Sequence, residues 1–273
     1  METHWICVTC ATQHAATPEP PARCAICEDP RQYVGPQGQR WTTLAELARE
    51  HSCEVREDAG YLGVGVTPAV AIGQRLLLVE SPEGNVLWDM IPFVDDAAVE
   101  AVRARGEVRA IAISHPHYYS GMVEWSRALS QAQGRDVPIL LHEADAEWIM
   151  RPDEAVEPWS GDVRELWGGL TLLRLGGHYR GGTVLHDAPR STLLAGDIVM
   201  VIPDREWVSF MWSYPNLIPL PAAEVTRLAE ALEPWPFERI LGAWWERLVP
   251  RDGAAIVQRS AARYAEALQR PLG

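Results

Sequence analysis

From residue 58 onward, short apolar runs alternate with stretches whose apolar residues recur at helical spacing. "YLGVGVTPAVAIG", "RLLLVES" and "GNVLWDM" predict strands, with "SPEGN" as a turn between the last two. "DDAAVEAVRARG" predicts a helix ended by glycine, and "VRAIAIS" a buried strand that delivers two histidines. Helix "GMVEWSRALSQAQ", strand "VPILLH" and helix "EADAEWIM" continue the pattern. A second half opens with strands "GGLTLLRLGG", "GTVLHDA" and "STLLAGD" and closes with helix "AAEVTRLAEAL", strand "RILGA" and helix "GAAIVQRSAARYAEALQR". Strands mixed with helices in this way predict an α+β fold of sheets covered by helices. Upstream, "WTTLAELAREH" predicts a short helix with Thr43 as N-cap and Glu46 three positions on.

Composition narrows the function classes. With 273 residues, 47% of them hydrophobic, the chain can bury one large core plus a small appendage. A net charge of -13 repels phosphate backbones and no basic stripe overrides it, which argues against a nucleic-acid partner. No apolar run approaches the ~20 residues that span a bilayer, so a soluble, cytoplasmic protein without membrane contact is expected. All 24 basic residues are arginine, which excludes Schiff-base chemistry and the lysine of a P-loop.

Four of the five cysteines fall in two C-x-x-C pairs, Cys7 with Cys10 and Cys24 with Cys27. Four thiolates at ~2.3 Å complete a closed tetrahedral shell around zinc. Two disulfides are disfavoured where nothing suggests export. The intervening "ATQHAATPEPPAR" is too polar and proline-rich to fold by burial, so an ion would supply its folding free energy. A structural zinc ribbon over residues 1–34 is therefore expected, then a linker and short helix over 35–57 and a main domain over 58–273. The pairs also resemble rubredoxin knuckles, but Ala11 and Glu28 replace the glycine usual after each rubredoxin pair. His14 and the lone Cys53 are read as bystanders.

Three loops carry the chemistry of the main domain. "SHPHYYSG" holds His115 and His117, "GGHYRGGTVLH" holds His178, and "LLAGD" holds Asp197. In this order they resemble the metallo-β-lactamase superfamily over roughly residues 58–273, which implies an αββα four-layer sandwich with metals at the edge between two sheets. Of the H-x-H-x-D-H motif only His115 and His117 remain; Tyr119 and Ser120 stand at the last two positions, and Ala243 stands where the family has a late histidine. The resemblance thus implies one metal, held by His115, His117 and His178 with Asp197 beside it, and no second. Two residues apart in an extended segment, His115 and His117 would point to the same side. Zinc suits three imidazoles and a carboxylate, and iron suits two histidines and a carboxylate.

Tyr119 is a candidate for packing into the vacated second site or for donating a proton to substrate. Tyr179 has the same two readings, and residues 119, 124 and 246 are candidate substitutes for the lost groups. His142 is expected to cap a helix or to bond a metal ligand from outside rather than to ligate, and His186 to face the core or a sheet partner. Trp207, Trp212, Tyr214, Trp244 and Trp245 are candidates for an aromatic pocket, Arg205 and Arg247 for binding an anionic group, and "PNLIPLP" for a lid or connector. The expected function is metal-dependent hydrolysis of an ester, thioester, lactone or phosphoester of a small-molecule substrate. The alternatives are a mononuclear non-haem iron oxygenase resembling persulfide dioxygenase, and a degenerate scaffold whose ribbon binds a partner protein.

Overall fold

The computed structural model describes residues 2–270, so residues 271–273 of the expected main domain lie outside the described part. Two sheets form the body. The first has seven strands in sequence order, Ser52–Asp58, Tyr61–Thr67, Leu76–Val79, Asn85–Trp88, Val108–Ala112, Ile139–His142 and Val156–Trp159. Its first four are antiparallel and the remaining pairings are parallel. The second has six, ordered Val163–Glu165, Leu170–Arg174, Thr183–Asp187, Thr192–Gly196, Arg239–Gly242 and Leu248–Val249. Only Thr192–Gly196 and Arg239–Gly242 run parallel there.

Strand periodicity explains the layering. Leu77 and Val79 join Leu172, Leu194 and Leu241 in the core between the sheets, whereas Leu76 and Leu78 face the opposite way. Both faces are apolar because helices Asp96–Arg103 and Met122–Gln133 cover the outer side of the first sheet. Helices Ala222–Leu232 and Gly253–Gln269 cover Leu173, Leu193 and Ile240 on the second. This is the expected four-layer α+β sandwich.

Several expectations are corrected. The first sheet begins at Ser52, inside the stretch expected to be linker to residue 57, because "SCEVRED" is an edge strand with mostly exposed side chains and no apolar run. "EADAEWIM" is not an α-helix but a 3-10 helix over Glu143–Trp148, closed by an Ile149 N–H bond to the Ala146 carbonyl. "PNLIPLP" is neither lid nor plain connector: Ile218–Pro219 pairs with Met211–Ser213 in a small hairpin.

At the N-terminus, Ile6–Cys7 pairs with Trp41–Thr42, and of the second cysteine pair Cys24 precedes the short helix Ala25–Glu28 while Cys27 lies within it. Ala11 takes the left-handed conformation, φ 64°, at a position where rubredoxin-like pairs use glycine. The helix Leu44–Glu50 has the expected capping box, Thr43 with Glu46. The segment "EDPRQYVGPQGQR" is no free connector. Pro30 and Gln32 carbonyls accept from the Asn216 side chain, and the Arg31 carbonyl accepts from Ser213 Oγ. Deeper in, buried Arg151 bonds both Gln13 and Glu124 at 2.5 Å and ties the ribbon to helix Met122–Gln133.

Candidate metal centres

The buried strand Val108–Ala112 runs into Ser114, whose N–H donates to Asp89 Oδ1 at 2.8 Å. His115 follows with extended backbone, and Pro116–Tyr118 turns at once into a 3-10 helix. The two histidines therefore do not share one side of an extended segment. They converge because the turn swings His117 back, and they present different nitrogens.

His178 sits in a loop pinched at its base, where the Gly182 carbonyl accepts from both Leu175 and Gly176 N–H groups. A side chain on Gly182 would meet the Gly176 carbonyl oxygen at 2.4 Å. Asp197 follows Gly196, whose φ of 55° and approach to Ser114 leave no room for a Cβ.

Inner and outer nitrogens are clearly separated. His178 Nδ1 lies 2.6 Å from the Trp212 carbonyl and must donate to it, which leaves Nε2 with a bare lone pair, 3.1 Å from His117 Nδ1. His117 Nε2 is held by the Tyr179 hydroxyl at 3.0 Å and His115 Nδ1 by Ser114 Oγ at 3.0 Å. His115 Nε2 is buried without a hydrogen-bond partner, as is Asp197 Oδ1, and the two face each other at 3.3 Å. Orphaned buried acceptors are costly. Ligand nitrogens on a tetrahedral ion with ~2.0–2.1 Å bonds stand roughly 3.3 Å apart, so the observed spacing fits a shared ion. The outer bonds are those that fix tautomer and ring direction in metal sites.

Electrostatics agree with this assignment. Burial, then the neighbouring His178, pushes His115 and His117 well below the usual imidazole range. Burial lowers His178 to about 4. The rings are thus neutral, the state a metal needs. Burial and the nearby Asp89 raise Asp197 to about 7, a cost that a cation would remove.

The residues that stand where the resemblance has second-ion ligands are packed away. Tyr119 and Ala243 are buried in one apolar cluster with Tyr118, and Trp244 packs against it. Ser120 is buried with its hydroxyl unpartnered. Among the described residues, groups able to hold an ion number two, the four cysteines and His115, His117 and His178.

Tyr119 is not brought to the histidines. Tyr118 meets the His115 ring edge-on at 4.5 Å and Tyr179 bonds His117 instead. Glu124 is spent on Arg151, and Glu246 is exposed with its carbonyl bonded to Arg205. Of the expected aromatic pocket only Trp212 and Tyr214 reach the site, Tyr214 through a hydrogen bond to the Asp197 carbonyl at 2.5 Å. Trp245 instead covers Gly63 and Gly65 beneath Arg56, Trp244 bonds the Ile72 carbonyl, and Trp207 lies under Arg263. Arg205 bonds the Ile202 and Glu246 carbonyls and Arg247 turns a backbone hairpin. His142 caps the Glu143–Trp148 turn and His186 bonds the Pro236 carbonyl, both as expected.

The four cysteines form a closed cluster. Cys7 and Cys27 sulfurs are 3.5 Å apart and Cys10 and Cys24 sulfurs 3.6 Å, far beyond a disulfide and close to the ~3.8 Å edge of a tetrahedral zinc–thiolate site. Thiol hydrogen bonds, led by Cys10, lower Cys7 to about 6 and Cys24 further. Arg31 is the site residue that motif spacing does not reveal. Its guanidinium lies 3.8 Å over the Tyr179 ring and donates to the His178 carbonyl at 3.2 Å.

No family model matches the sequence. Across 276 aligned residues, covering 98% of each chain, the sequence is 43% identical to YmaE of Bacillus subtilis strain 168, described as an uncharacterized protein. The chain belongs to the YmaE family. That match extends over the segments that form the ribbon and the sandwich here. Among solved structures, the mono-zinc form of the metallo-β-lactamase FIM-1 from Pseudomonas aeruginosa aligns with TM-score 0.56 at 15% identity, over 80% of this chain and 97% of that one. TMB-1 aligns with TM-score 0.59 at 14% identity, over 80% and 99%. A di-iron-bound form of TTHA1623 aligns with TM-score 0.50 at 21% identity, over 69% and 94%. The body of this YmaE-family chain has the metallo-β-lactamase fold. Among the described residues no helix is long and apolar enough to cross a membrane.

Proposed function

We propose that the protein is a metal-dependent hydrolase acting through one ion on His115, His117 and His178, with Asp197 beside them. The observation that carries this reading is the pair of orphaned atoms, His115 Nε2 and Asp197 Oδ1, aimed into a pocket where His117 Nδ1 and His178 Nε2 also converge. The chemistry such an ion would supply is a lowered pKa, toward ~7, for a water on it and polarisation of a carbonyl or phosphoryl oxygen. Ser114, Tyr179 and the Trp212 carbonyl keep the three rings in register. Asp197 would complete the ligand set through its orphaned Oδ1. Zinc is the ion we assign to both centres, since closed thiolate and imidazole sets suit it. The four thiols fit a reducing compartment such as the cytoplasm.

A cavity of about 700 Å³ supports a small-molecule substrate. It borders His178, Tyr179 and Trp212; of its four arginines, Arg31, Arg174 and Arg227 are already paired with Asp29, Asp162 and Glu224, and Arg180 has no ion-pair partner among the described residues. The Arg180 fork suits a single carboxylate or phosphate group, and ester, thioester, lactone and phosphoester substrates all fit this reading. An iron-dependent oxidation at His115, His178 and Asp197 is the second reading, favoured by the approach of Asp197 to His115.

Metal analysis separates the two. Two zincs per chain with ester hydrolysis supports the hydrolase; iron with dioxygen uptake supports the oxidation; one zinc, confined to the cysteines, refutes both. His178→Ala should lose one metal equivalent and all hydrolysis, and unchanged turnover would end the assignment.

A further inference from the structure

We propose that the cysteine ribbon is a working part of the histidine centre, with Arg31 as the positioning residue that sets how tightly His117 and His178 hold their ion. This inference rests on the metal-centre reading above. The path is short and continuous. Cys27 closes the ribbon cluster, and the turn after it places Asp29, whose N–H bonds the Ala25 carbonyl. Both Asp29 carboxylate oxygens grip Arg31, Oδ1 on Nε at 2.6 Å and Oδ2 on a terminal nitrogen at 2.8 Å. The ion pair is largely buried, with both side chains 12% exposed, so it is little screened by water.

Held in this way, the guanidinium makes two contacts with the neighbouring loop. Its face covers Tyr179, with Trp148 on its other flank at 5.0 Å, and its edge donates to the His178 carbonyl. Tyr179 in turn bonds the outer nitrogen of His117. One side chain thus fixes the backbone of one ligand and the hydrogen-bond partner of another. The Ser213 and Asn216 bonds to residues 30–32 clamp the same segment against the hairpin that also supplies the Trp212 carbonyl to His178. A ribbon that served only as an independent stabiliser would not need its first ordered turn after Cys27 to end on the ligand loop.

The test is cobalt(II) binding by the full chain, because the thiolate and imidazole sites give distinct absorption bands and need no substrate. In Arg31→Met, which keeps the aliphatic stem, the thiolate band should be unchanged while affinity at the histidine site falls about 10- to 100-fold, the usual effect of losing an outer partner. Wild-type affinity at the histidine site in a folded Arg31→Met protein overturns the inference alone. If Arg31→Met does not fold, Asp29→Asn, which loosens the grip on Arg31, is read by the same criteria. Wild-type protein that binds cobalt at its thiolates only overturns the inference and the metal-centre reading together.

Discussion

Asp145 holds one carboxylate oxygen on the Gly181 N–H at 2.9 Å and buries the other without a partner. Burial raises its pKa to about 6. The folded state therefore binds this proton more tightly than the unfolded chain, where the pKa is about 4. Its stabilising contribution is complete below about pH 4 and is lost as pH rises through about 6, a difference on the order of 2–3 kcal/mol. Urea midpoints of wild type and Asp145→Asn should diverge across that window, with wild type losing ground as pH rises; parallel curves would refute the shift. At this scale the sequence was partly legible. His115, His117, His178 and Asp197 declare themselves because metal ligands admit few residue types. Tyr118, Ser114 and Arg31 do not, because hydrogen-bonding and stacking partners are common residues placed only by the fold.

Elements with two buried faces were readable as apolar runs, and the capping box at Thr43 located its helix directly. The strands missed in the two large sheets, Ser52–Asp58, Val156–Trp159, Val163–Glu165 and Leu248–Val249, all lie at or beside sheet edges. Edge strands carry polar side chains and even Pro158, which central strands exclude. Ser52–Asp58 nonetheless has a strong anchor. Asp58 accepts from Arg75 Nε at 2.6 Å, and Arg75, buried, also donates to the Gly242 carbonyl of the second sheet. Asp58→Ala would strand a buried cation and should cost about 3–5 kcal/mol in urea denaturation. Adding Arg75→Met should restore part of that loss, and a double variant no better than the single one would show that the pair is not the anchor.

For the molecule as a whole, two kinds of interior are joined: a sandwich with three substantial apolar clusters and a ribbon whose interior is mainly four sulfurs. Cys7→Ser should therefore abolish hydrogen-exchange protection in the ribbon and leave both sheets protected; global unfolding would show that the sandwich depends on its appendage. The overall architecture was legible because the order of ligand loops is set by topology, whereas the docking of the ribbon was not, since its contacts join residues about 150 to 180 positions apart. The histidine rings, at 0, 5 and 2% exposure, are walled off from bulk water. With so little ring surface open to solvent, an ion held among them would exchange slowly, so the metal content of a purified sample is to be compared with that after stripping by chelator and reloading.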